Sequence, residues 1–222
     1  VSFVIEGSEI LLVAALEDEI HQAFAAEACR KLAVGVGKVN AAARLAFAIA
    51  QRRPGLVLNV GTAGSRRFAR GALVECARFV QRDMDATALG LRRGQTPFDP
   101  AGAEISHEPV FGFLPLASCG TGDGFEVGAG AAPDPGFDAG DVVDMEAYAL
   151  AKTCLIAGVR FACLKYVTDG ADGAASEHWQ ESVPLAARAL HAAYARQFRG
   201  LSREPLISRS ENASLPTKSS SC

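Results

Sequence analysis

The chain has 222 residues, 49% hydrophobic and 21% charged, with a formal net charge of −3. This is globular composition of roughly one domain with trimmings, and it excludes full-length disorder. The acidic balance argues against a nucleic-acid binder, which shows a strongly basic face.

Residues 1–9 read as an N-terminal extension. Ile10–Ala15 is the first predicted strand, too short to cross a bilayer and leading straight into Glu17-Asp18-Glu19. Glu17–Lys31 reads as a helix, acidic at its start and closed by Arg30-Lys31, in keeping with the helix dipole. Leu32–Val36 is the second strand. Gly35-Val36-Gly37-Lys38-Val39-Asn40 then turns tightly into an Ala-rich helix, Lys38–Arg53, stopped by Pro54-Gly55. Asn40 stands where a dinucleotide fingerprint needs its third glycine, so no nicotinamide cofactor is expected.

Leu56–Val60, Leu73–Val80, Leu114–Ser118 and Phe161–Thr168 are further strands. Most are apolar throughout, the pattern of strands covered on both faces. Met145–Ala157 and Glu177–Phe198 are helices, the second with Val183, Ala187, Leu190, Tyr194 and Phe198 along one face. Arg93–Pro109 is a long Pro-interrupted loop. Strand–helix alternation over residues 10–200 implies one α/β domain, and residues 201–222 read as a Ser-rich disordered tail. The six cysteines form no CxxC and the four histidines no HExxH, so neither a disulfide framework nor a metal site is expected. A reducing cytoplasm is the expected compartment.

Ligands of open α/β sheets bind beyond the carboxyl ends of the strands. Three carboxylates fall at such places: Glu19, Glu146 and Asp169. Each alone also fits a helix terminus or cap. Between them lie two glycine-rich loops, Gly61-Thr62-Ala63-Gly64 and Gly120–Gly124, the second ending at Phe125. Cleaving a glycosidic bond needs such a set: an acid for the leaving group, a base for the water, and oxygen acceptors around an oxocarbenium-like sugar.

In order and spacing the motifs ALEDE, GVGKVNAA, NVGTAG, VDMEA and VTD resemble those of the nucleoside phosphorylase/nucleosidase superfamily. Within it, the chain is most similar to the 5′-methylthioadenosine/S-adenosylhomocysteine nucleosidases, from about Ile10 to Phe198. The resemblance implies a three-layer α/β/α fold around a twisted, mixed, mostly parallel sheet, and a homodimer. It implies that Asp169 serves purine N7, that Glu19 activates the attacking water, and that Glu146 accepts the ribose hydroxyls. Met145 would pack on the sugar and Phe125 on the base. Thr62 and Gly64 would lie near the ribose and the water, with Thr168 and Lys165 completing the set. Lys165 departs from the family's usual Arg, Glu126 follows Phe125 in place of an aliphatic residue, and Arg82 departs from its usual His.

The expected reaction is hydrolysis of a purine nucleoside, with no cofactor. Related phosphorylases carry arginines where this chain has its acidic first loop and Asn59, and negative charge opposes phosphate there. Arg82 or Arg66-Arg67 would supply the anion site of a phosphorylase. The same motifs also fit a futalosine-type hydrolase and a non-catalytic nucleoside-binding protein.

Overall fold

The computed structural model describes residues 9–20, 22–124, 137–169 and 175–199. The expected tail and nearly all of the expected extension lie outside them.

Among the described residues eight strands form one mixed sheet: β1 (Ile10–Ala14), β2 (Arg30–Ala33), β3 (Leu56–Gly64), β4 (Leu73–Gln81), β5 (Glu104–Ser106), β6 (Leu116–Thr121), β7 (Val142–Asp144) and β8 (Arg160–Asp169). The spatial order is β2-β1-β3-β7-β6-β4-β5, and β8 pairs with both β3 and β4. The strands β3-β7-β6-β4-β8 therefore close on themselves, and β1-β2 and β5 extend from this ring. Five of the strand pairings are parallel and three antiparallel.

The helices α1 (Lys38–Gln51) and α2 (Ala147–Ala157) cover one face of the sheet and α3 (Ala175–Tyr194) the other. Strand side chains alternate between the two layers. Leu11 and Val13 pack in one core with Leu45 and Ala48 of α1. Leu12 and Ala14 pack in the other with Leu190 of α3. Two buried faces explain why these strands are apolar at every position rather than at every second one. Ala187, Leu190, Tyr194 and Phe198 of the expected face are buried, and a π-helical turn, Ala195–Arg199, carries the last of them.

The segment after β1 departs from expectation. Glu17–Glu19 is a single 3-10 turn, followed by irregular turns, and Arg30 already belongs to β2. The dipole cue is local, whereas parallel pairing puts Arg30 opposite Leu11 and Lys31 opposite Leu12. Those two residues cannot also end a helix. Two further differences concern strand length. The Gly61–Gly64 motif is not a loop: pairing with β8 carries β3 through to Gly64, with a register shift at its last step. The Arg93–Pro109 segment contains β5, and β7 is a strand of three residues. No helix among the described residues is long and apolar enough to cross a membrane.

Candidate functional site

The carboxyl ends of β3, β7 and β8, with the turn after β6, surround a cavity of about 250 Å³, closed on one side by the turn after β1. Glu19, Thr62, Gly64, Met145, Glu146, Lys165, Thr168 and Asp169 all line it. The sequence-derived site is thus gathered in one place, apart from Phe125, which lies outside the described residues. The preceding Gly124 is at the rim.

Glu19 is turned inward by the 3-10 turn, while its neighbours Glu17 and Asp18 stay exposed. Its Oε2 accepts the Leu16 N–H at 3.1 Å, and its Oε1 accepts the Thr62 N–H at 3.1 Å. Burial pushes the Glu19 carboxyl above the usual range, against the opposing pull of the Leu16 amide, Lys165 and Thr62. A carboxylate with raised basicity beside a cavity suits proton abstraction from water. Gly61 makes the approach possible. A Cβ there would lie 3.2 Å from Glu19 Oε1 and 3.4 Å from Lys165 Nζ.

Lys165, on β8, is buried, and its Nζ stands 2.8 Å from Asp144 Oδ2. Asp144 ends β7. Its Oδ1 accepts the Thr121 hydroxyl at 2.6 Å, and its Oδ2 accepts the Ala147 N–H at 2.9 Å. Burial opposes both charges, yet each sustains the other: Lys165 stays well above its ordinary range and Asp144 below its own. The sequence offers Asp144 as a cap for the following helix; in the structure it lies two residues before the N-cap residue and accepts the first helical N–H, that of Ala147. Its role as partner of Lys165 is not legible in the sequence, because nothing local joins positions 144 and 165.

Glu146 occupies the N-cap position of α2 and is buried. Its Oε1 accepts the Gly37 N–H at 2.9 Å. Burial first, and then the nearby Asp144 charge, raise its carboxyl to about 7. The two glycines of the second motif adopt the positive φ expected of a tight turn, Gly35 at 79° and Gly37 at 92°. Asp169 ends β8, where Thr168 donates its hydroxyl to Asp169 Oδ2 at 2.7 Å. The Asp169 carbonyl accepts the Ser65 N–H at 3.0 Å, fixing the backbone at this end of the strand.

The arginines that could serve as anion ligands are engaged with protein groups. Arg82 lines the cavity, and its Nη2 donates to the carbonyls of Gly122, at 3.4 Å, and Gly124. Arg67 pairs with Asp141 and does not line the cavity. The buried Asn59 donates its amide to the Val13 carbonyl at 3.1 Å, between the strands. Among the described residues four carboxyl groups therefore face the cavity with Lys165 and Arg82, and those that are ionised favour a reacting centre that becomes positive.

Comparison with known proteins identifies the family and the fold. The phosphorylase superfamily profile matches residues 120–198. A 5′-methylthioadenosine/S-adenosylhomocysteine nucleosidase from Haemophilus influenzae strain PittEE is 30% identical over 169 residues, covering 69% of this chain and 73% of that protein. The protein of the same name from an Exiguobacterium species is 31% identical over 167 residues, covering 68% and 72%. Among solved structures, a mutant of the Helicobacter pylori nucleosidase with 5′-methylthioadenosine in its active site superposes with a TM-score of 0.78. Identity is 19%, over 87% of this chain and 99% of that one. The native futalosine hydrolase of the same organism also gives 0.78, at 17% identity over 87% and 98%. The chain belongs to the 5′-methylthioadenosine/S-adenosylhomocysteine nucleosidase family of the phosphorylase superfamily, a family of N-glycosyl hydrolases.

Proposed function

We propose that the protein hydrolyses the N-glycosidic bond of 5′-methylthioadenosine, S-adenosylhomocysteine or a closely similar purine nucleoside, releasing free base and ribose sugar. The observation that carries this reading is the convergence of Glu19, Glu146 and Asp169, with the buried Lys165, around one cavity. Asp169 donates a proton or hydrogen bond to purine N7 and so draws electrons out of the C1′–N9 bond. As that bond breaks, positive charge develops on C1′ and the ring oxygen, and the surrounding carboxylates stabilise it. Glu19 takes a proton from water as the water oxygen bonds to C1′. Glu146 accepts the ribose hydroxyls, Met145 packs on the sugar, and Lys165 keeps Glu19 and Asp144 in fixed relation. Water is the nucleophile because the acidic turn that carries Glu19 opposes a phosphate dianion, and neither Arg66 nor Arg67 lines the cavity.

A second copy of the chain is the partner that the family resemblance implies. The outward-facing Val39 and Phe47 of α1, 78% and 66% exposed, are apolar side chains that such a contact would cover. The reducing cytoplasm is the setting we infer, in keeping with the five free thiols among the described residues.

Base release is the deciding measurement. 5′-Methylthioadenosine, S-adenosylhomocysteine, adenosine, inosine and a futalosine-type nucleoside are each offered with and without phosphate. The expected result is release indifferent to phosphate, with free ribose sugar as co-product. Ribose 1-phosphate formed only with phosphate would overturn hydrolysis. Asp169→Asn is expected to lower kcat by about 10²–10⁴-fold while the thermal midpoint holds. Wild-type turnover in that variant would remove Asp169 from the chemistry.

A further inference from the structure

The rim of the cavity carries a polar cluster that the hydrolysis itself does not use. The Gly122–Gly124 turn leaves β6 and is gripped by two consecutive residues of opposite charge. Arg82 donates to the carbonyls of Gly122 and Gly124, on either side of Asp123. Asp83 accepts the Asp123 N–H at 2.9 Å. Residue 122 has to be glycine for this grip, since a Cβ there would fall 2.8 Å from Arg82 Cζ.

Held in this way, the Asp123 side chain reaches the start of α1. Its Oδ1 accepts the backbone N–H of Lys38 at 2.8 Å, and its Oδ2 lies 3.5 Å from Lys38 Nζ. Lys38 Nζ in turn stands 2.5 Å from Asp83 Oδ1, which closes the cluster. The next residue back is Gly37, whose N–H is the donor to Glu146 Oε1. A Cβ on Gly37 would lie 3.3 Å from Asp123 Oδ1, so the carboxylate packs directly on the Gly37 Cα. The peptide that Asp123 fixes and the peptide that Glu146 engages meet at that one atom.

We propose that Asp123 is a positioning residue for Glu146: by fixing the 37–38 peptide it aims the Gly37 N–H at the Glu146 carboxylate and sets how Glu146 meets the ribose hydroxyls. This rests on the ribose-binding role given to Glu146 above. Asp123 touches neither sugar nor base in this scheme. It acts through the backbone of Gly37, and its side chain is half exposed, so replacing it leaves the core intact.

The test compares the wild-type chain with Asp123→Ala and Asp123→Asn, on 5′-methylthioadenosine and on its 2′,3′-dideoxy counterpart. Asp123→Ala is expected to lower kcat/KM about tenfold on the ribonucleoside, the worth of one hydrogen bond to a charged group. On the dideoxy substrate, which offers Glu146 no hydroxyl, the loss should stay under about twofold. Asp123→Asn keeps an acceptor for the Lys38 N–H and should recover most of the activity. Equal losses on both substrates would overturn the proposal, because general loosening of the site acts on both.

A second readout needs no turnover. In a ¹³C-carboxyl NMR titration, the Glu146 midpoint should lie higher in Asp123→Ala than in Asp123→Asn, which loses the same charge but keeps the acceptor, since the Gly37 N–H favours the ionised form. The groups that face Glu146 — Asp144, Glu19 and Lys165 — are unaltered in both variants. Equal midpoints in the two variants would overturn the proposal. If the wild-type chain cleaves none of the nucleosides, the functional reading falls, and the titration still decides the role of Asp123.

Discussion

The floor and the rim of the cavity are both built from paired charges, and the pairs differ in kind. On the floor, Lys165 and Asp144 have side chains 3% and 2% exposed. Their charges exist because each compensates the other and because the Thr121 hydroxyl and Ala147 amide complete the arrangement. On the rim, the Lys38, Asp83 and Asp123 side chains are 15%, 32% and 51% exposed, and water shares the task. A buried pair is costly to break because it leaves an uncompensated charge, whereas a surface pair is worth little in stability. The floor therefore ties the reaction to the integrity of the fold, and the rim can tune the site without endangering it.

The sharpest way to break that contrast is Lys165→Met. It strands Asp144 in the interior and is expected to remove about 3–5 kcal/mol of stability, read by urea denaturation. Stability near that of wild type would mean that Asp144 is satisfied without Lys165. Gly61→Ala comes next. The new methyl would press on both Glu19 and Lys165, and a small misplacement of the proposed base is expected to lower kcat about 10²-fold. Its unfolding midpoint should move little, and unchanged turnover would show that the floor yields. The smallest effect belongs to the rim. Lys38→Met removes the ammonium contacts to Asp83 and Asp123 and is expected to cost about 0.2–1 kcal/mol. A loss as large as that of Lys165→Met would erase the distinction between the two regions.

Much of the floor is legible in the sequence. Strands β1, β3, β4 and β8 stand out because both faces are covered, and Glu19, Glu146 and Asp169 stand out because they end strands or open helices. What escapes depends on pairing between distant segments. The three residues of β7 are too few for any periodicity, and β5 sits inside a segment rich in Pro and Gly. The expected helix over Glu17–Lys31 satisfies its own charges but not the register between β1 and β2. Asp144 as the counter-charge of Lys165, and Gly37 as the donor to Glu146, are contacts between elements far apart in the chain, the second spanning 109 positions. Gly37 announces itself only as a turn residue. Gly61 reads as loop flexibility, whereas its function is space for two opposed side chains within a strand.

The closed ring of strands has a kinetic consequence. β3 pairs along its whole length with β8, about a hundred residues later, and β8 also closes the ring against β4. Glu19 leans on β3, Lys165 and Asp169 ride on β8, and Asp144 ends β7, so the cavity cannot exist until this late-synthesised strand is inserted. Such non-local topology folds slowly, because loop closure precedes the contacts that reward it. During synthesis the nascent chain stays without the proposed catalytic centre until β8 has left the ribosome, and catalytic competence becomes a late and sensitive report of complete folding.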